Sequence, residues 1–411
     1  MPYSRFLAFL ILNAIVPTVS AAEPDAEWPQ WHGPNRDQVW AVRNLPDLPK
    51  ELAPLWKKPI GGGFGGVSVA GGHVFVMDRQ KDPKETERVV CLSLDNGDTK
   101  WVREYPVKYG KLDYGTGPRA TPTIHDGRVY TLGAVGHLLC LDEKSGDVIW
   151  SHDCTAEFKA TLPTWGLASS PLIDGERVLV QVGGADACVM AFDRKSGKVA
   201  WKALGDRSGY TSLVRIDVGK NKLVIAWTAE NINALDAENG KVLWSIPFFI
   251  TYDVAIADPV WHDGVLMCSQ YWEGSKALAL DANGLHPKVA WEGKQLRMLM
   301  STPLVRDGFA YALDRQNGVV CIELKTGKVK WDGFQVSLDR HNPHAALTWT
   351  GDGEVLALND KGELIRAKLS PEKFTEIGRT KLFGGSWAHP AFARGCIVMR
   401  DDKEIVCVRL K

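Results

Sequence analysis

The sequence lacks an excess of either charge. Its 411 residues contain 49 Lys and Arg against 49 Asp and Glu. Without an overall positive field, the chain has no general attraction to nucleic acid or to an anionic membrane, and neither partner is predicted. Pairs of metal ligands at HExxH or CxxC spacing are also missing, so no metal site is predicted. The densest histidine patch, His341-Asn342-Pro343-His344, is interpreted as a solvated loop.

Adjacent cysteines are missing too, although the chain has eight cysteines. Four of them share one register of the repeat described below, where other copies have alanine: Cys91, Cys140, Cys321 and Cys407, against Ala191, Ala234 and Ala279. A position that exchanges cysteine for alanine is a small buried site, and equivalent sites in different repeats lie beyond the roughly 7 Å reach of a disulfide. One structural bridge is left open among the others: Cys154, Cys188, Cys268 and Cys396.

Helical spacing of apolar residues is scarce, whereas a tryptophan returns along most of the chain after a turn of the type acidic-x-x-Gly. Steps of 49, 51, 43, 47 and 40 residues separate Trp101, Trp150, Trp201, Trp244, Trp291 and Trp331. This period is typical of a four-stranded propeller blade or of a helical-pair repeat. Short apolar runs joined by Asp-Gly, as at Asp126-Gly127, indicate hairpins and favour the four-stranded blade over the helical-pair repeat.

The repeat register predicts an all-β fold, an eight-bladed β-propeller of four-stranded blades that occupies residues 28–411 as one domain. The last unit supplies only three strands after Pro390, and the missing strand, with its tryptophan, is present at Leu55-Trp56-Lys57-Lys58-Pro59. We therefore predict that the N-terminal strand closes the C-terminal blade. The seventh unit is the least regular, because its tryptophan slot falls near Ile377.

The repeated tryptophans are predicted to be structural. An indole buries roughly 200 Å² and needs a partner for its single N–H. Similar slots around a ring would wedge each blade against its neighbour. The predicted docking residues are Trp56, Trp101, Trp150, Trp201, Trp244, Trp291 and Trp331.

Residues 1–21 are predicted to be a secretory signal peptide. Arg5 precedes an apolar run over residues 6–16, and Ala21 and Ala22 fit a cleavage site. The run is too short to span a bilayer stably, and no cysteine at the cleavage site offers a lipid anchor. We expect an exported protein, periplasmic or secreted, whose mature chain has no transmembrane segment.

In a propeller, the residue before the first strand of each blade borders the central channel. These residues are mostly small and polar, as a wet, narrow channel demands: Gly66, Thr121, Ser170, Ser212, Asp258, Thr302, Leu347 and His389. Asp258 and His389 are expected to face each other obliquely across the channel. Loops just upstream add aromatic and charged residues, which predict a ligand site at the funnel mouth: Phe64, Arg119, Trp165, Tyr210, Tyr252, Asp253, His344 and Trp387. The alternative is a merely hydrated rim.

The segment Gly61–Gly66 fits the dinucleotide pattern Gly-x-Gly-x-x-Gly. That chemistry needs a helix N-terminus after the glycines to meet a pyrophosphate. Here a β run, Val67-Ser68-Val69, follows instead. The segment is therefore interpreted as a flexible loop into the first blade.

The unit Leu-Asp-x-x-x-Gly-x-x-x-Trp resembles the repeat of the pyrroloquinoline-quinone (PQQ) enzymes, and the resemblance covers residues 28–411. The segment Trp28–Asp37 is similar to the corresponding segment of bacterial secreted PQQ-like-repeat proteins. The resemblance implies the propeller fold but leaves two kinds of function. The family holds quinoprotein alcohol and sugar dehydrogenases, and also non-enzymatic members such as the propeller lipoprotein of the outer-membrane β-barrel assembly machinery.

Quinoprotein dehydrogenases use PQQ over a Ca²⁺ held by carboxylate and amide side chains, with an Asp base and often a disulfide between adjacent cysteines. This chain has no adjacent cysteines and no Glu, Asn and Asp set that aligns with theirs, and Asp258 is the one candidate for such a base. We therefore predict a non-catalytic, monomeric binding or scaffold propeller without a cofactor, whose funnel mouth binds a protein or a small ligand. The alternative is a PQQ- and Ca²⁺-dependent alcohol or sugar dehydrogenase.

Overall fold

The computed structural model describes residues 27–334, 336–337, 339 and 341–411. The predicted signal peptide, residues 1–21, lies outside the described residues. The strands form eight antiparallel sheets of four strands each, and a short additional strand, Val39–Trp40, joins one of them. The all-β, eight-bladed propeller is therefore confirmed.

Each blade contains four strands in chain order from the channel outwards. Blade 1 contains Ser68–Ala70, His73–Gln80, Thr86–Ser93 and Thr99–Pro106, and blade 2 contains Thr123–His125, Arg128–Leu132, His137–Asp142 and Val148–Asp153. Blade 3 contains Leu172–Asp174, Arg177–Gly184, Ala187–Asp193 and Val199–Ala203, and blade 4 contains Val214–Val218, Asn221–Trp227, Asn231–Asp236 and Val242–Pro247. Blade 5 contains Val260–His262, Val265–Gln270, Gly274–Ala279 and Lys288–Gly293, and blade 6 contains Leu304–Arg306, Phe309–Asp314, Gly318–Glu323 and Val329–Phe334. Blade 7 contains Ala345–Thr350, Glu354–Asn359, Glu363–Leu369 and Phe374–Lys381. One short α-helix, Cys154–Phe158, and one 3₁₀ turn, Thr251–Asp253, lie between blades.

Blade 8 closes the ring as predicted. It contains Ala391–Ala393, Cys396–Arg400 and Glu404–Arg409, and its fourth strand is Pro54–Pro59 from the N-terminal part of the chain. Trp56 pairs with Cys407 in this sheet, the same cross-strand pairing that Trp101 makes with Cys91 in blade 1. The N-terminal strand therefore fills the place that every other blade fills with its own last strand.

Hairpins within the blades follow the local sequence. In blade 2, Asp126 and Gly127 have φ values of 51° and 71°, and Asp263 and Gly264 in blade 5 have 47° and 81°. Two successive residues at positive φ are required by the tight turns whose twist matches paired strands, and Asp-Gly tolerates them. Second and third strands are buried almost throughout, whereas outer strands alternate, so the core lies between neighbouring blades.

Tryptophans of the outer strands link each blade to the next, and we call them the outer ring. Six of them donate their indole N–H to a backbone carbonyl of the following blade at 2.7–3.2 Å: Trp56, Trp101, Trp150, Trp244, Trp291 and Trp331. The Trp201 N–H has no partner among the described residues. The turn glycine of the following blade packs on the indole face, and a Cβ on Gly197 would lie 2.7 Å from the Trp150 ring. The acidic-x-x-Gly turn and the tryptophan are thus two halves of one contact.

Blade 7 replaces this contact with a different one. Pairing places Gly378, next to the expected position at Ile377, in the tryptophan slot opposite Arg366. The space above Gly378 is taken by Leu48, and Arg366 donates to the carbonyl of Pro46. The stretch that leads into blade 8 therefore fills the place of the missing indole.

Cysteine positions agree in part with the register argument. All eight cysteines lie among the described residues and are buried and free. Cys140 and Cys321 pair directly with the outer-ring tryptophan of their blades. In blade 5 the predicted equivalent, Ala279, is wrong, because Ala277 pairs with Trp291. A longer turn before this tryptophan shifts the count by two residues.

Candidate functional site

A ladder of hydrogen bonds runs around the inner end of the blades, and we call it the inner ladder. In blades 1 to 5, the residue two positions before the first strand donates its backbone N–H to the side chain of its equivalent in the next blade. Successive distances are 3.0, 2.9, 3.0, 2.7 and 3.1 Å along Gly66, Thr121, Ser170, Ser212, Asp258 and Thr302. These small polar residues also have a structural role that the sequence did not predict. From Thr121 to Thr302, their side chains accept hydrogen bonds from backbone N–H groups of the preceding blade.

The channel itself is filled by the residues Glu27–Val42, which we call the channel segment. The backbone carbonyls of Trp28 and Pro29 accept N–H groups of Val69 and Ile124, both at 2.8 Å. Val39–Trp40 continues as a parallel fifth strand beside blade 7. The channel is therefore closed from below by protein.

Asp258 is shared between the inner ladder and the channel segment. Its Oδ1 accepts the Ser212 N–H and its Oδ2 accepts the Trp31 indole N–H, both at 2.7 Å. Burial raises the pKa of Asp258 to about 6, although Arg36 and the two hydrogen bonds oppose this shift. A carboxylate with both oxygens engaged is an anchor for the channel segment and is badly placed to accept a proton from a ligand.

Three histidines surround this anchor. Trp31 stacks on His32 with ring centroids 4.0 Å apart and lies 4.4 Å from His389, so it separates His389 from Asp258. Burial lowers the pKa of His344 to about 4 and lowers the pKa values of His32 and His389 well below the usual range. All three rings are therefore neutral at pH 7, and the floor of the site carries little net positive charge.

Above Trp31 the channel widens into a funnel with a cavity of about 380 Å³. Its aromatic wall is a continuous arc of rings with centroids 5.0–5.9 Å apart: Phe64, Trp387, Tyr114, Trp165 and Tyr210. The facing wall is supplied by blades 5 and 6 and contains Tyr271, Trp272, Leu299 and Met300. A cavity of this size with apolar walls and a few polar groups at its base is typical of a small-ligand site.

The structure gathers most of the predicted site residues around this cavity. The lining includes Phe64, Arg119, Trp165, Tyr210, Asp258, His344, Trp387 and His389. Tyr252 and Asp253 lie elsewhere, because Tyr252 is 75% exposed against Trp272 and Asp253 pairs with Arg207 at 2.7 Å. The solvated-loop interpretation of residues 341–344 fails at His344, which is buried at the cavity floor.

Sequence reasoning missed Trp31, Tyr114, Tyr271 and Trp272 as lining residues. Trp31 belongs to a segment outside the repeat, so the blade register does not place it. Tyr271 and Trp272 lie in the turn between the second and third strands of blade 5, whereas the predicted site residues lie on loops that enter first strands. An aromatic pair in an otherwise polar turn was the available signal.

The glycine-rich segment positions Phe64 at the cavity wall. The N–H groups of Phe64 and Gly65 both donate to the Pro118 carbonyl at 2.8 Å. A Cβ on Gly62 would lie 2.6 Å from the Thr116 side chain. These glycines are therefore required by close packing against the loop into blade 2, and the flexible-loop interpretation was wrong.

Residues at the base of the funnel do not fit a calcium ion. Ca²⁺ takes six to eight oxygen ligands, and Asp258 is the single carboxylate among the described lining residues. Its oxygens already accept two hydrogen bonds, and the cationic Arg36 interacts with it electrostatically. Within the described ranges, no group of three or more His, Cys, Asp or Glu side chains is arranged to hold a metal.

The described stretch also holds no helix of the length and apolarity needed to cross a membrane.

The fold and the site together define a propeller with an aromatic-walled funnel, and the channel segment closes the base of this funnel. A family model described as outer membrane protein assembly factor BamB matches residues 108–333, more than half of the chain, and the protein belongs to this family of PQQ-like repeats.

Individual relatives divide between two kinds of protein. The outer membrane protein assembly factor BamB of Shewanella oneidensis is 23% identical over 234 residues, which cover 52% of this chain and 56% of the relative. Quinohemoprotein alcohol dehydrogenase ADH IIB of Pseudomonas putida is 24% identical over 306 residues, which cover 54% and 43%. The chain thus spans about half the length of the curated relatives it matches.

Solved structures agree on the fold alone. BamB from Moraxella catarrhalis has a TM-score of 0.60 at 14% identity, covering 90% of this chain and 98% of that one. Quinohemoprotein alcohol dehydrogenase from Comamonas testosteroni has a TM-score of 0.65 at 13% identity, covering 95% and 81%. Both an assembly factor and an alcohol dehydrogenase use this frame, so the function depends on the site.

Proposed function

We propose that this protein is an exported, non-catalytic binding propeller, whose funnel holds a small ligand or an inserted side chain of a protein partner. The observation that carries the proposal is the combination of an aromatic-walled cavity of about 380 Å³ with a base whose only described carboxylate is fully hydrogen-bonded. Such a cavity buries apolar surface, and its one described carboxylate already accepts two hydrogen bonds, which makes it a poor general base. Export rests on the predicted signal peptide, and we expect a monomer.

A photo-crosslinking amino acid at position 387 tests the proposal in the native host. Trp387 lies in the aromatic arc, whereas Val199, on the outer strand of blade 3, is 44% exposed and serves as the control position. We expect a defined adduct, identified by mass spectrometry, from position 387 and none from position 199. Equal labelling at both positions would contradict a funnel ligand.

The competing function is a quinoprotein alcohol or sugar dehydrogenase, which the similarity to quinohemoprotein alcohol dehydrogenases favours. Isothermal titration of PQQ with and without Ca²⁺, followed by dye-linked oxidation of alcohols and sugars, separates the two. We expect no Ca²⁺-dependent binding and no oxidation. Oxidation that is abolished by Asp258→Ala would replace the binding proposal with the dehydrogenase.

A further inference from the structure

The channel below the funnel contains a stretch of the chain that belongs to none of the four-stranded blades. We propose that this channel is a peptide-binding site in its own right, and that the channel segment, Glu27–Val42, occupies it as an exchangeable intramolecular ligand. This inference concerns the channel and does not depend on what binds in the funnel above it.

The strand pairing of the ring is complete without the channel segment. Every blade has its four strands, and Val39–Trp40 only adds a fifth to blade 7. Closure of the ring is performed by Pro54–Pro59, which lies beyond an exposed connection that includes Arg43 and Asn44. Removal of the channel segment therefore leaves every inter-strand pairing of the eight blades in place.

Recognition of the segment uses the inner edges of several blades. First strands present backbone N–H groups to the channel, and the segment satisfies three of them, at Val69, Ile124 and Trp349. Most of the segment follows a path of turns, and only Val39–Trp40 pairs as an added strand. Gln38 accepts the Trp349 N–H at 2.8 Å and donates its side-chain amide to the Pro303 carbonyl at 2.9 Å. Arg36 donates to the Pro171 carbonyl, equivalent to Pro303 in its blade, at 3.2 Å. Together with the Trp31 bond to Asp258, these contacts let the channel recognise the backbone of the segment and three of its side chains, Trp31, Arg36 and Gln38.

Two properties oppose tight binding of the segment in the channel. His32, Arg36 and Gln38 are non-glycine residues at φ values of 62°, 57° and 59°, a conformation that persists only when the surroundings impose it. Each of these three side chains also has a buried nitrogen or oxygen without a hydrogen-bond partner among the described residues. Trp28, Trp40 and Val42 of the segment are buried among blade residues and favour binding. Strain and unpaired polar atoms oppose these contacts, which is the physical reason to expect exchange.

A full-length protein with a specific protease site inserted between Arg43 and Asn44 tests the inference. After cleavage, the fragment is expected to co-elute with the ring in gel filtration, and a fluorescein-labelled synthetic peptide of residues 27–43 is expected to replace it. Binding is followed by fluorescence anisotropy, with circular dichroism of the uncut protein as the reference for folding.

Unlabelled competitor peptides define the anchor. We expect the Trp31→Ala peptide to compete at least tenfold less well than the native sequence, because it loses the bond to Asp258. Asn35 is exposed, so the Asn35→Ala peptide should compete like the native one. Loss of the ring's β signal on cleavage, failure of the labelled peptide to bind, or equal competition by the Trp31→Ala peptide would each overturn the inference.

Discussion

The outer ring and the inner channel hold the same eight blades together in different ways. On the outside, one contact recurs, in which a tryptophan rests on the turn glycine of the next blade and usually donates to its backbone. On the inside, the inner ladder runs from Gly66 to Thr302 and is not continued at Leu347, and a unique segment fills the channel. Repetition therefore builds the frame, and departures from repetition build the site.

The largest expected effect is loss of an outer-ring indole. Trp244 is buried and donates to the Gly284 carbonyl at 2.8 Å, so Trp244→Ala should lower the free energy of unfolding by about 3–5 kcal/mol. Trp31→Ala should cost clearly less, because Trp31 is half-buried beside the cavity and belongs to no blade. Urea unfolding followed by circular dichroism measures both. Equal losses would show that the outer ring and the channel segment contribute equally to stability.

Titration of Asp258 should be the next largest effect. Burial raises its folded-state pKa to about 6, above about 3.9 in the unfolded chain, so the native state binds the proton more tightly and the wild type gains stability as pH falls from 7 to 4. Asp258→Asn removes this gain, and the wild-type minus variant difference in unfolding free energy should change by about 2 kcal/mol over that range. Chemical denaturation at several pH values tests it, and a pH-independent difference would contradict it.

A matched variant at His344 should respond in the opposite direction. Burial lowers the folded-state pKa of His344 to about 4, whereas its pKa in the unfolded chain is about 6.5. The unfolded chain therefore binds the proton more tightly, and the protein loses stability as pH falls below about 6.5. His344→Gln should therefore lose less stability than the wild type between pH 7 and pH 4. The same denaturation series measures this, and parallel curves would show that His344 is not held neutral by burial.

A glycine pair isolates the indole contact from backbone strain. Gly197 and Gly127 have nearly the same φ, 73° and 71°, but a Cβ meets the Trp150 ring only at Gly197 and meets nothing within 4 Å at Gly127. Both alanine variants should lose about 1 kcal/mol from the positive φ. Gly197→Ala should lose about 2 kcal/mol more from the clash. Equal thermal or urea stabilities would show that the turn and the tryptophan are independent.

The smallest effect concerns the indole N–H alone. Trp244→Phe removes a hydrogen bond and should cost about 1 kcal/mol more than Trp201→Phe, whose N–H has no partner among the described residues. Urea midpoints of the two variants, each compared with the wild type, measure the difference. A larger loss at Trp201 would indicate that its N–H is satisfied in solution.

Sequence periodicity was sufficient for the frame because each blade repeats the same local chemistry. Asp-Gly turns, buried β-branched runs and the glycine–tryptophan pair lie within or between neighbouring repeats, so register alone located Trp56 as the closing residue. Register failed at Ala279, where one longer turn shifted the count. It also gave no reason for Gly378, because Leu48, from outside the repeat, compensates for the missing tryptophan.

For the site, the sequence determined which residue types reach the inner end of each blade, and eight predicted residues line the funnel. Only the tertiary structure decided what those residues do. The two oxygens of Asp258, the candidate base, accept hydrogen bonds from Ser212 and Trp31, residues 46 and 227 positions away in sequence. Local patterns determine strands and turns because their interactions are short-range. Closure of the ring brings distant segments together, and this packing alone decides that the chain's own N-terminal segment fills the channel.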